Sequence, residues 1–490
     1  MKLKCLSLIL FLSFPALASN AQESAFGRLK EGLDANSLPL VNIVTESALE
    51  NDSYVSGQIE IWDFQKRTDP ARRDVQFRCE VKYRGASAMA YDKKSLAVKL
   101  LDSRGDDLDA NVLGIREENS WILDAMAIDR IRMRNRLCFD IWNSMSHTPY
   151  DTGFDNRNGT DGVFVELFLN GEYEGLYCLS DKVDRKLLGL KKADKGTSGR
   201  VYIKGLLYKC TKWSGSSSYL TGYDTAPVNT TEWNAWELQY PSDYPSYVTW
   251  QPLMDLIDFC SQETTFAQFC DEYLSWFYVD NLVDYLVFTS ALNVDDNFYK
   301  NTFLSTVDIT KGHRYLITPW DMDMSLGGNY DGDYNDVTAI LNRYDWRAPY
   351  DRLHLNNVDG FRKAVKDRWA ELSPTLLSPD SVFARLDAYA AEFEKSGAWQ
   401  REYDRWNGNP VPLKESLSQE IDYVKRWYAD NYNSICREWG GAPYTSAPRY
   451  YDPNPERAIY LPDGRRVNMS RDAVPGKGLY IIDGKKIYNR

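Results

Sequence analysis

Alternation of apolar and polar positions predicts β-strands in the first part of the chain. Runs of this kind cover residues 38–44, 57–62, 76–83, 95–101, 163–169 and 177–179. The last two flank Asn170-Gly171, a dipeptide that favours a tight hairpin turn. We therefore predict strands and at least one hairpin before residue 180.

Helical spacing of apolar residues marks much of the remaining chain. The predicted helices are 128–145, 185–190, two within 253–289, and 359–439 with an interruption near 397–412. The stretch 205–241 is rich in Ser, Gly and Thr, which predicts a loop. Two Asp-Gly turns, at 463–464 and 483–484, predict a small C-terminal β unit. Together these patterns predict an α+β fold.

The stretch 293–328 contains the residues best suited to chemistry. Asp296 precedes Asn301 by five positions, and Asp321 and Asp323 follow an apolar run. A protein-kinase site uses an Asp to accept the proton of the attacking hydroxyl, an Asn on a metal ion and a second, metal-binding Asp. Two acids one residue apart also repel each other unless a cation lies between them. The alternative is that these residues only cap turns.

A loop of small residues, 84–94, joins two of the predicted strands and ends in two lysines. In a kinase-like site such a loop covers phosphates with backbone N–H groups, and a strand lysine holds their charge. Lys99 projects opposite the apolar face of its strand and is one candidate for that lysine; Lys94 is the other. The alternative is a surface hairpin with a basic tip.

Several motifs occur in a characteristic order along the chain. They are Arg84-Gly85-x-Ser87 with Lys93-Lys94, Arg134-Asn135, the Asn170-Gly171-x-Tyr173-x-Gly175-x-Tyr177 hairpin leading to Asp181-x-Val183-Asp184, Lys300-Asn301, and Pro319-Trp320-Asp321-x-Asp323 ending in Gly327. This series, over residues 38–375, resembles the CotH family, which was first associated with spore coats and is similar to an atypical secreted protein kinase.

The resemblance implies a two-lobed, atypical protein-kinase-like fold. It also implies ATP-dependent phosphorylation of Ser or Thr in exported proteins, with Mg²⁺ or Mn²⁺. By position, Asp296 is the implied catalytic residue and Asp321 the chief metal ligand, with Asn301 and Asp323 assisting. The neighbouring Asp295 leaves the catalytic assignment open by one residue.

The implied nucleotide-binding residues lie in the loop, the lysine strand and the segment 177–182, which would pass the adenine. They are Arg84, Ser87, Lys94, Lys99 and Asp181. Two departures from the family pattern stand out. Many members have Glu where this chain has Asp181, and helix 128–145 lacks the Glu that a kinase pairs with its strand lysine.

The termini carry patterns of processing and attachment. Residues 1–21 are a predicted signal peptide, because two lysines are followed by an apolar run and then by small residues. The remaining predicted segments are an N-terminal lead at 22–37, the kinase-like domain at 38–375, a helical extension at 376–442, a linker at 443–455 and a β tail at 456–490. The tail resembles the sorting or anchoring tails of exported Bacteroidetes proteins; the alternative is a plain terminal hairpin.

Composition argues against several classes of partner and of catalytic or metal site. The net charge of −12 argues against nucleic acid, which demands clustered Lys and Arg. With three histidines, His-based catalysis and His-rich metal sites are disfavoured. The cysteines show no zinc-type spacing, and beyond the signal no stretch is apolar enough to span a bilayer. The prediction is an exported protein of the periplasm, cell surface or extracellular space.

Two function classes remain open from the sequence. The first is an exported kinase acting on secreted or surface proteins. The second is a catalytically silent binding or adhesion module that keeps the kinase fold and uses surface Trp and Tyr residues to hold a glycan or a protein. The missing helix Glu and the scarcity of external ATP favour the second, whereas retention of the acidic and amide positions favours the first.

Overall fold

The computed structural model describes residues 24–445 apart from 154–155, 214, 299 and 337–346, together with the backbone of four strands after residue 458. The predicted signal peptide at 1–21 and residues 446–455 of the predicted linker lie outside the described residues.

The strands in chain order are β1 (Leu40–Thr45), β2 (Val55–Trp62), β3 (Asp74–Arg84), β4 (Ser95–Leu101), β5 (Ala110–Asn111), β6 (Glu117–Glu118), β7 (Ser120–Asp124), β8 (Gly162–Leu169), β9 (Glu172–Ser180), β10 (Asp194–Lys195), β11 (Val201–Tyr202), β12 (Leu206–Cys210), β13 (Glu232–Trp233), β14 (Trp236–Tyr240), β15 (Thr302–Thr306), β16 (Leu316–Pro319), β17 (Ile459–Tyr460), β18 (Arg466–Val467), β19 (Gly478–Ile482) and β20 (Lys485–Asn489). The helices are α1 (Ala25–Glu31), α2 (Arg134–Met145), α3 (Tyr247–Cys260), α4 (Phe266–Trp276), α5 (Val279–Leu292), α6 (Tyr350–Leu353), α7 (Phe361–Leu372), α8 (Pro379–Lys395), α9 (Ala398–Trp406) and α10 (Leu417–Trp439). This mixture confirms the predicted α+β class.

A closed β-barrel forms the N-terminal part of the protein. Its strands follow the order β1-β2-β3-β4-β7-β9-β8, and β1 closes it by pairing in parallel with β8, Leu40 opposite Glu166. Alternate residues of each strand point inward because side chains on a strand alternate between its two faces. The interior is filled by aliphatic side chains that include Ile43, Ile59, Val81, Leu96, Val98, Leu123, Val165 and Leu179.

A second sheet, ordered β13-β14-β12-β15-β16, lies within the helical part of the chain. Residues 281–292 of α5 are all buried, so this helix is the centre of the helical region. It is packed against β16, α7 and α10. Its last turn leads directly into the segment that carries Asp296 and Asn301, which ties that segment to the most buried helix.

The prediction of a loop throughout 205–241 is wrong. Strands β12 and β14 lie within it and pair with each other, and β12 also pairs with β15. Aromatic side chains inside this polar stretch supply the buried surface: Tyr208 stacks on Trp250 of α3 with ring centroids 5.5 Å apart. The Ser- and Gly-rich composition therefore describes only the connection between the strands.

Four helix predictions need correction. The helix predicted at 128–145 begins only at Arg134, because Asp129 accepts hydrogen bonds from three backbone N–H groups and holds the preceding residues in a turn. Residues 185–190 form turns without an α-helix. The stretch 253–289 contains parts of three helices, α3, α4 and α5, where two were predicted. The helical region 359–439 is divided among α7 to α10 by breaks at 373–378, 396–397 and 407–416, so the interruption predicted near 397–412 is wrong for residues 398–406, which form α9.

The C-terminal strands form an antiparallel sheet in the order β18-β17-β19-β20. Both predicted hairpins, β17 with β18 and β19 with β20, are paired in it, although the Asp-Gly turns themselves lie outside the described residues. Across the part of the chain that is described, no helix is long and apolar enough to cross a membrane.

Candidate active site

The Asp296 segment is a tight turn between α5 and β15. Helix α5 ends at Leu292, and the capping residue Asn293 has a left-handed backbone with φ of 47°. Asp296 then opens a short 3₁₀ turn. The side chain of Asn297, fully buried, donates to the carbonyl of Trp320 at 3.0 Å and so ties the turn to the end of β16. Since Asn tolerates the left-handed region better than most residues, the local sequence suits this shape.

Asp296 is 4% exposed and is surrounded by donors. Its Oδ2 accepts from the Asn301 amide at 2.6 Å and lies 3.1 Å from the ammonium of Lys300. Its Oδ1 accepts from the indole N–H of Trp213. Burial raises the pKa of Asp296 above its ordinary value, and Lys300 opposes this rise. A carboxylate held by three donors in a sheltered position has the environment of a positioned base.

Asn301 joins Asp296 to Asp321. Its amide nitrogen also donates to Asp321 Oδ2 at 3.3 Å, and its backbone accepts from the Trp320 N–H at 2.9 Å. Both Asn301 and Asp321 have positive φ, 53° and 57°. Such backbone conformations persist only where the surroundings enforce them, and they concentrate at functional sites. The pairing of β15 with β16, Thr302 opposite Pro319, brings the two residues together.

Asp323 extends this site into an acidic cluster. Burial raises the pKa of Asp323 well above its ordinary value, and the nearby carboxylates of Asp321, Asp124, Asp296 and Asp129 add to the rise. Within the described ranges, no three His, Cys, Asp or Glu side chains converge as a ready-made metal site. The oxygens of Asp321 and Asp323 are nevertheless the hard donors that Mg²⁺ and Mn²⁺ prefer, so these two residues could hold a divalent cation.

A cleft leads from Asp321 along the edge of the barrel. Its cavity volume is about 30 Å³, room for one or two water molecules. Its lining comprises Arg84, Ile122, Asp124, Asn135, Arg136, Phe139, Thr160, Cys178, Ser180, Trp320 and Asp321. The guanidinium of Arg84 lies 5.9 Å from the ring centre of Trp320, which places the end of β3 beside the residue that precedes Asp321. The cleft therefore joins the barrel residues to the Asp321 segment.

Asn135 connects the two walls of this cleft. Its side-chain nitrogen donates to Asp124 Oδ2 at 3.0 Å, and its side-chain oxygen accepts from the Met322 N–H at 3.1 Å. Asp124 ends β7, so this single amide joins the barrel to the segment between Asp321 and Asp323. The sequence motif Arg134-Asn135 singled out the position, but the partner Asp124 carried no signal in the sequence.

The residues of the loop and of β4 that are predicted to bind nucleotide occupy different environments. Ser87 is exposed in a 3₁₀ turn. The Lys94 ammonium donates to the carbonyls of Met89 and Tyr91 and so closes the loop on itself. Lys99 points away from the barrel interior, with its ammonium 4.3 Å from the ring centre of Tyr54. Of the predicted nucleotide-binding residues, Arg84 is the one that lines the cleft.

Asp181 is fully buried just after β9. Its carboxylate accepts from Arg116 Nε at 2.6 Å and from the Asp161 N–H at 2.8 Å. Arg116 also contacts Asp184 at 3.0 Å. Burial raises the pKa of Asp181, and the arginine opposes this rise. The contacts fix the path of the connection between the barrel and the helical region.

Lys93 forms a buried ion cluster that the sequence analysis did not identify. Its ammonium donates to Glu402 of α9 at 2.6 Å and to the Leu176 carbonyl at 2.7 Å. Glu402 also accepts from Arg132 Nε at 2.7 Å, and the Lys93 and Glu402 side chains are 0% exposed. The two cations hold the pKa of Glu402 below its ordinary value despite burial. Because Lys93 and Glu402 are 309 residues apart, no local pattern could have paired them.

Gly175 lies against this cluster, and its replacement is our first prediction. Its φ is +117°, and a Cβ atom there would lie 2.5 Å from Glu402 Oε2. Gly175→Ala should lower the free energy of unfolding by about 3 kcal/mol, since overpacking and backbone strain add. Gly105→Ala is the matched control, with φ of +89° and open space around the new Cβ. Denaturant unfolding should show a smaller loss in the control; equal losses would refute a role for the Glu402 contact.

Comparison with known proteins places the chain in a family. The family model described as CotH kinase protein matches residues 81–435, which is more than half of the chain. The match includes Asp296, Asn301 and Asp321 and extends through Glu402 of α9. A search of curated proteins finds no match. On the strength of the family match, the chain belongs to the CotH kinase protein family.

Proposed function

We propose that this protein is an exported, metal-dependent protein kinase that transfers the γ-phosphate of ATP to Ser or Thr residues of secreted or surface proteins. The observation that carries the proposal is the Asn301 amide, which lies between Asp296 and Asp321 at 2.6 and 3.3 Å. Protein kinases need such a pair of acids with an intervening Asn. Family membership and the N-terminal signal pattern support the proposal.

Asp296 is the proposed base. Its buried carboxylate would accept the proton of the acceptor hydroxyl while Lys300 and Asn301 hold its orientation. Asp321, with Asn301 and Asp323, would hold Mg²⁺ or Mn²⁺, and that cation would neutralise charge on the phosphates. The clustered carboxylates around Asp323 support this assignment, because their mutual repulsion would be relieved by a cation.

We assign the cleft as the nucleotide site, which must widen to admit ATP, with the barrel and the helical region as its two lobes. Arg84 would meet the phosphates from the barrel side. Lys94 would order the loop around Ser87 through its bonds to loop carbonyls, so that backbone N–H groups face the phosphates. Asp181 would fix the segment beside the adenine. Lys99 lies farther along β4 and would add positive charge at the barrel surface.

The direct test is the melting temperature with and without Mn²⁺-ATP, and this is our second prediction. A ligand present at about a hundred times its dissociation constant adds roughly 2.7 kcal/mol to the native state. We expect a metal-dependent rise in the wild-type protein that Asp321→Ala abolishes. Asp367→Ala, which removes an exposed acid of α7, is the matched control and should keep the rise.

The result also separates the two function classes. A rise that persists in Asp321→Ala would remove the metal assignment. No rise in any variant would contradict the kinase proposal and favour the binding or adhesion module. Chelation by EDTA provides an independent arm: it should cancel the rise in the wild-type protein and in Asp367→Ala alike.

A further inference from the structure

Neither of the two lysines considered for phosphate binding is directed at the acidic cluster. Lys94 donates to carbonyls of its own loop, and Lys99 lies on the outer face of the barrel. A third lysine, Lys209 of β12, lies beside the cluster instead. Its ammonium is 5.8 Å from the ring centre of Trp320, the residue that precedes Asp321. The structure therefore offers a lysine at this position that the family motifs do not include.

The pairing of β12 fixes the direction of the Lys209 side chain. Lys209 lies opposite Phe303 of β15, and cross-strand partners point to the same face of a sheet. Phe303 in turn packs edge-on against Trp320, with ring centroids 5.9 Å apart. The Lys209 ammonium is 6.0 Å from the Phe303 ring centre. Two aromatic rings therefore flank the lysine and direct its ammonium toward the segment that carries Asp321.

The same face of β12 borders a larger cavity. Leu207 precedes Lys209 by two residues, so the two side chains point to one face of the strand. Leu207 lines a cavity of about 240 Å³ beside residues 182–186. An elongated ligand that occupies this cavity and reaches Asp321 must therefore pass over Lys209.

The charges around Lys209 favour an anion. Burial lowers the pKa of Lys209, Asp321 opposes this effect, and the guanidinium of Arg84 adds to it. Arg84 also lies 5.9 Å from the ring centre of Trp320, so two cations from different strands lie near one indole. Within the described residues, no carboxylate forms an ion pair with the Lys209 ammonium, not even that of its β14 neighbour Glu237. Phosphate oxygens between the two cations would relieve their repulsion.

We propose, on the basis of the kinase function assigned above, that Lys209 binds the phosphates of ATP from the side of the β12 sheet while Arg84 contacts them from the barrel. During transfer the acceptor oxygen bonds to the γ-phosphorus, its proton goes to Asp296, and the bond from that phosphorus to the β,γ-bridging oxygen breaks. The electron pair of the broken bond stays on ADP. Lys209 neutralises the negative charge that grows there.

The first arm of the test compares the binding of Mn²⁺-ATP with that of adenosine by calorimetry. Lys209→Met removes the charge and keeps a long side chain, whereas Lys209→Arg keeps the charge. We expect Lys209→Met to weaken ATP binding about tenfold to a hundredfold, the change expected for loss of one hydrogen bond to a charged group. Adenosine binding should not change, and Lys209→Arg should retain most of the affinity for ATP.

Lys204→Met is the matched control for this arm. It removes a lysine that lies five residues earlier and pairs with Asp194, so it should keep the wild-type affinity for both ligands. The melting temperature of each variant without ligand shows that it is folded.

The second arm uses the wild-type protein alone. Lysines are acetylated with a water-soluble N-hydroxysuccinimide ester of acetate, and modification is quantified by mass spectrometry with and without Mn²⁺-ATP. Bound ATP should protect Lys209 and leave the modification of Lys204 unchanged. Equal modification of Lys209 in the two samples, in a protein that binds ATP, would overturn the contact.

The two arms separate the role of Lys209 from the kinase assignment. Equal weakening of ATP and adenosine binding in Lys209→Met, or no weakening of either, would refute the phosphate contact and leave the kinase assignment in place. Binding of ATP that depends on Lys209 without transfer of phosphate to casein would refute the kinase function and retain the phosphate site. A wild-type protein that binds no nucleotide would refute both. A loss specific to ATP, rescued in Lys209→Arg and accompanied by protection of Lys209, would establish the contact.

Discussion

Asp296→Asn is expected to lower the rate of phosphoryl transfer by about 10²- to 10⁴-fold, the range that general bases contribute. The amide retains a similar shape and an oxygen that can accept hydrogen bonds, but it cannot take up a proton. Nucleotide binding should persist, because Asp321 and the cleft are untouched. Transfer of labelled phosphate to casein, together with the Mn²⁺-ATP thermal shift, measures the two properties separately.

Asp295→Asn is the matched neighbour for this experiment. It makes the same chemical change one residue away. The Asp295 backbone N–H donates to the Met324 carbonyl at 3.1 Å, which holds this part of the turn in place. This variant should retain most of the wild-type rate; a loss confined to it would transfer the base role to Asp295. Since burial raises the pKa of Asp296 above 3.8, the acid limb of the wild-type pH–rate profile should lie above that value.

Glu402→Gln is expected to lower the free energy of unfolding by about 3–5 kcal/mol, the range found when one partner of a buried ion pair is removed. The substitution leaves Lys93 and Arg132 without their shared carboxylate in a site with no access to water. Denaturant unfolding is the measurement. The loss should far exceed that of Glu371→Gln, which breaks an exposed pair with Arg368.

A double-mutant cycle tests whether Lys93 and Glu402 are energetically coupled. Lys93→Met alone should destabilise the protein, because Glu402 loses one of its two cations. Its combination with Glu402→Gln should lose less than the sum of the two single losses, because removing Lys93 relieves the repulsion between Lys93 and Arg132 that Glu402→Gln leaves unbalanced. Simple additivity would show that Lys93 and Glu402 are not coupled, and the cluster would then not explain the fixed position of α9.

The candidate site was predictable where its residues share one turn or one hairpin. Asp296 and Asn301 lie at the ends of a single turn, and the pairing of β15 with β16 brings Asp321 to them. The spacing of these residues along the chain is therefore enough to predict that they lie close together. Trp213 is different, since it reaches Asp296 from 83 positions away along the chain. Such a contact depends on how separate elements pack, and periodicity along the chain does not encode it.

The fold shows the same division. Alternation predicted most barrel strands, because inward and outward positions differ in polarity, and Lys99 lies on the outer face as expected. The strands within 205–241 were not predicted, because their buried aromatic residues, such as Tyr208 and Trp236, are outnumbered by polar residues. The sequence does not indicate that Lys93 is buried, because its counterion, Glu402, comes from a distant helix.

Closure of the barrel has a practical consequence for dissecting the protein. The family match begins at residue 81, inside β3, whereas β1 and β2 lie before it. A fragment cut at that boundary would lack the strand that seals the ring, and the unpaired backbone of β8 and of shortened β3 would be left open. Unprotected strand edges recruit other chains. We therefore expect a fragment that begins at residue 81 to aggregate, because β1 and β2 are needed to close the barrel.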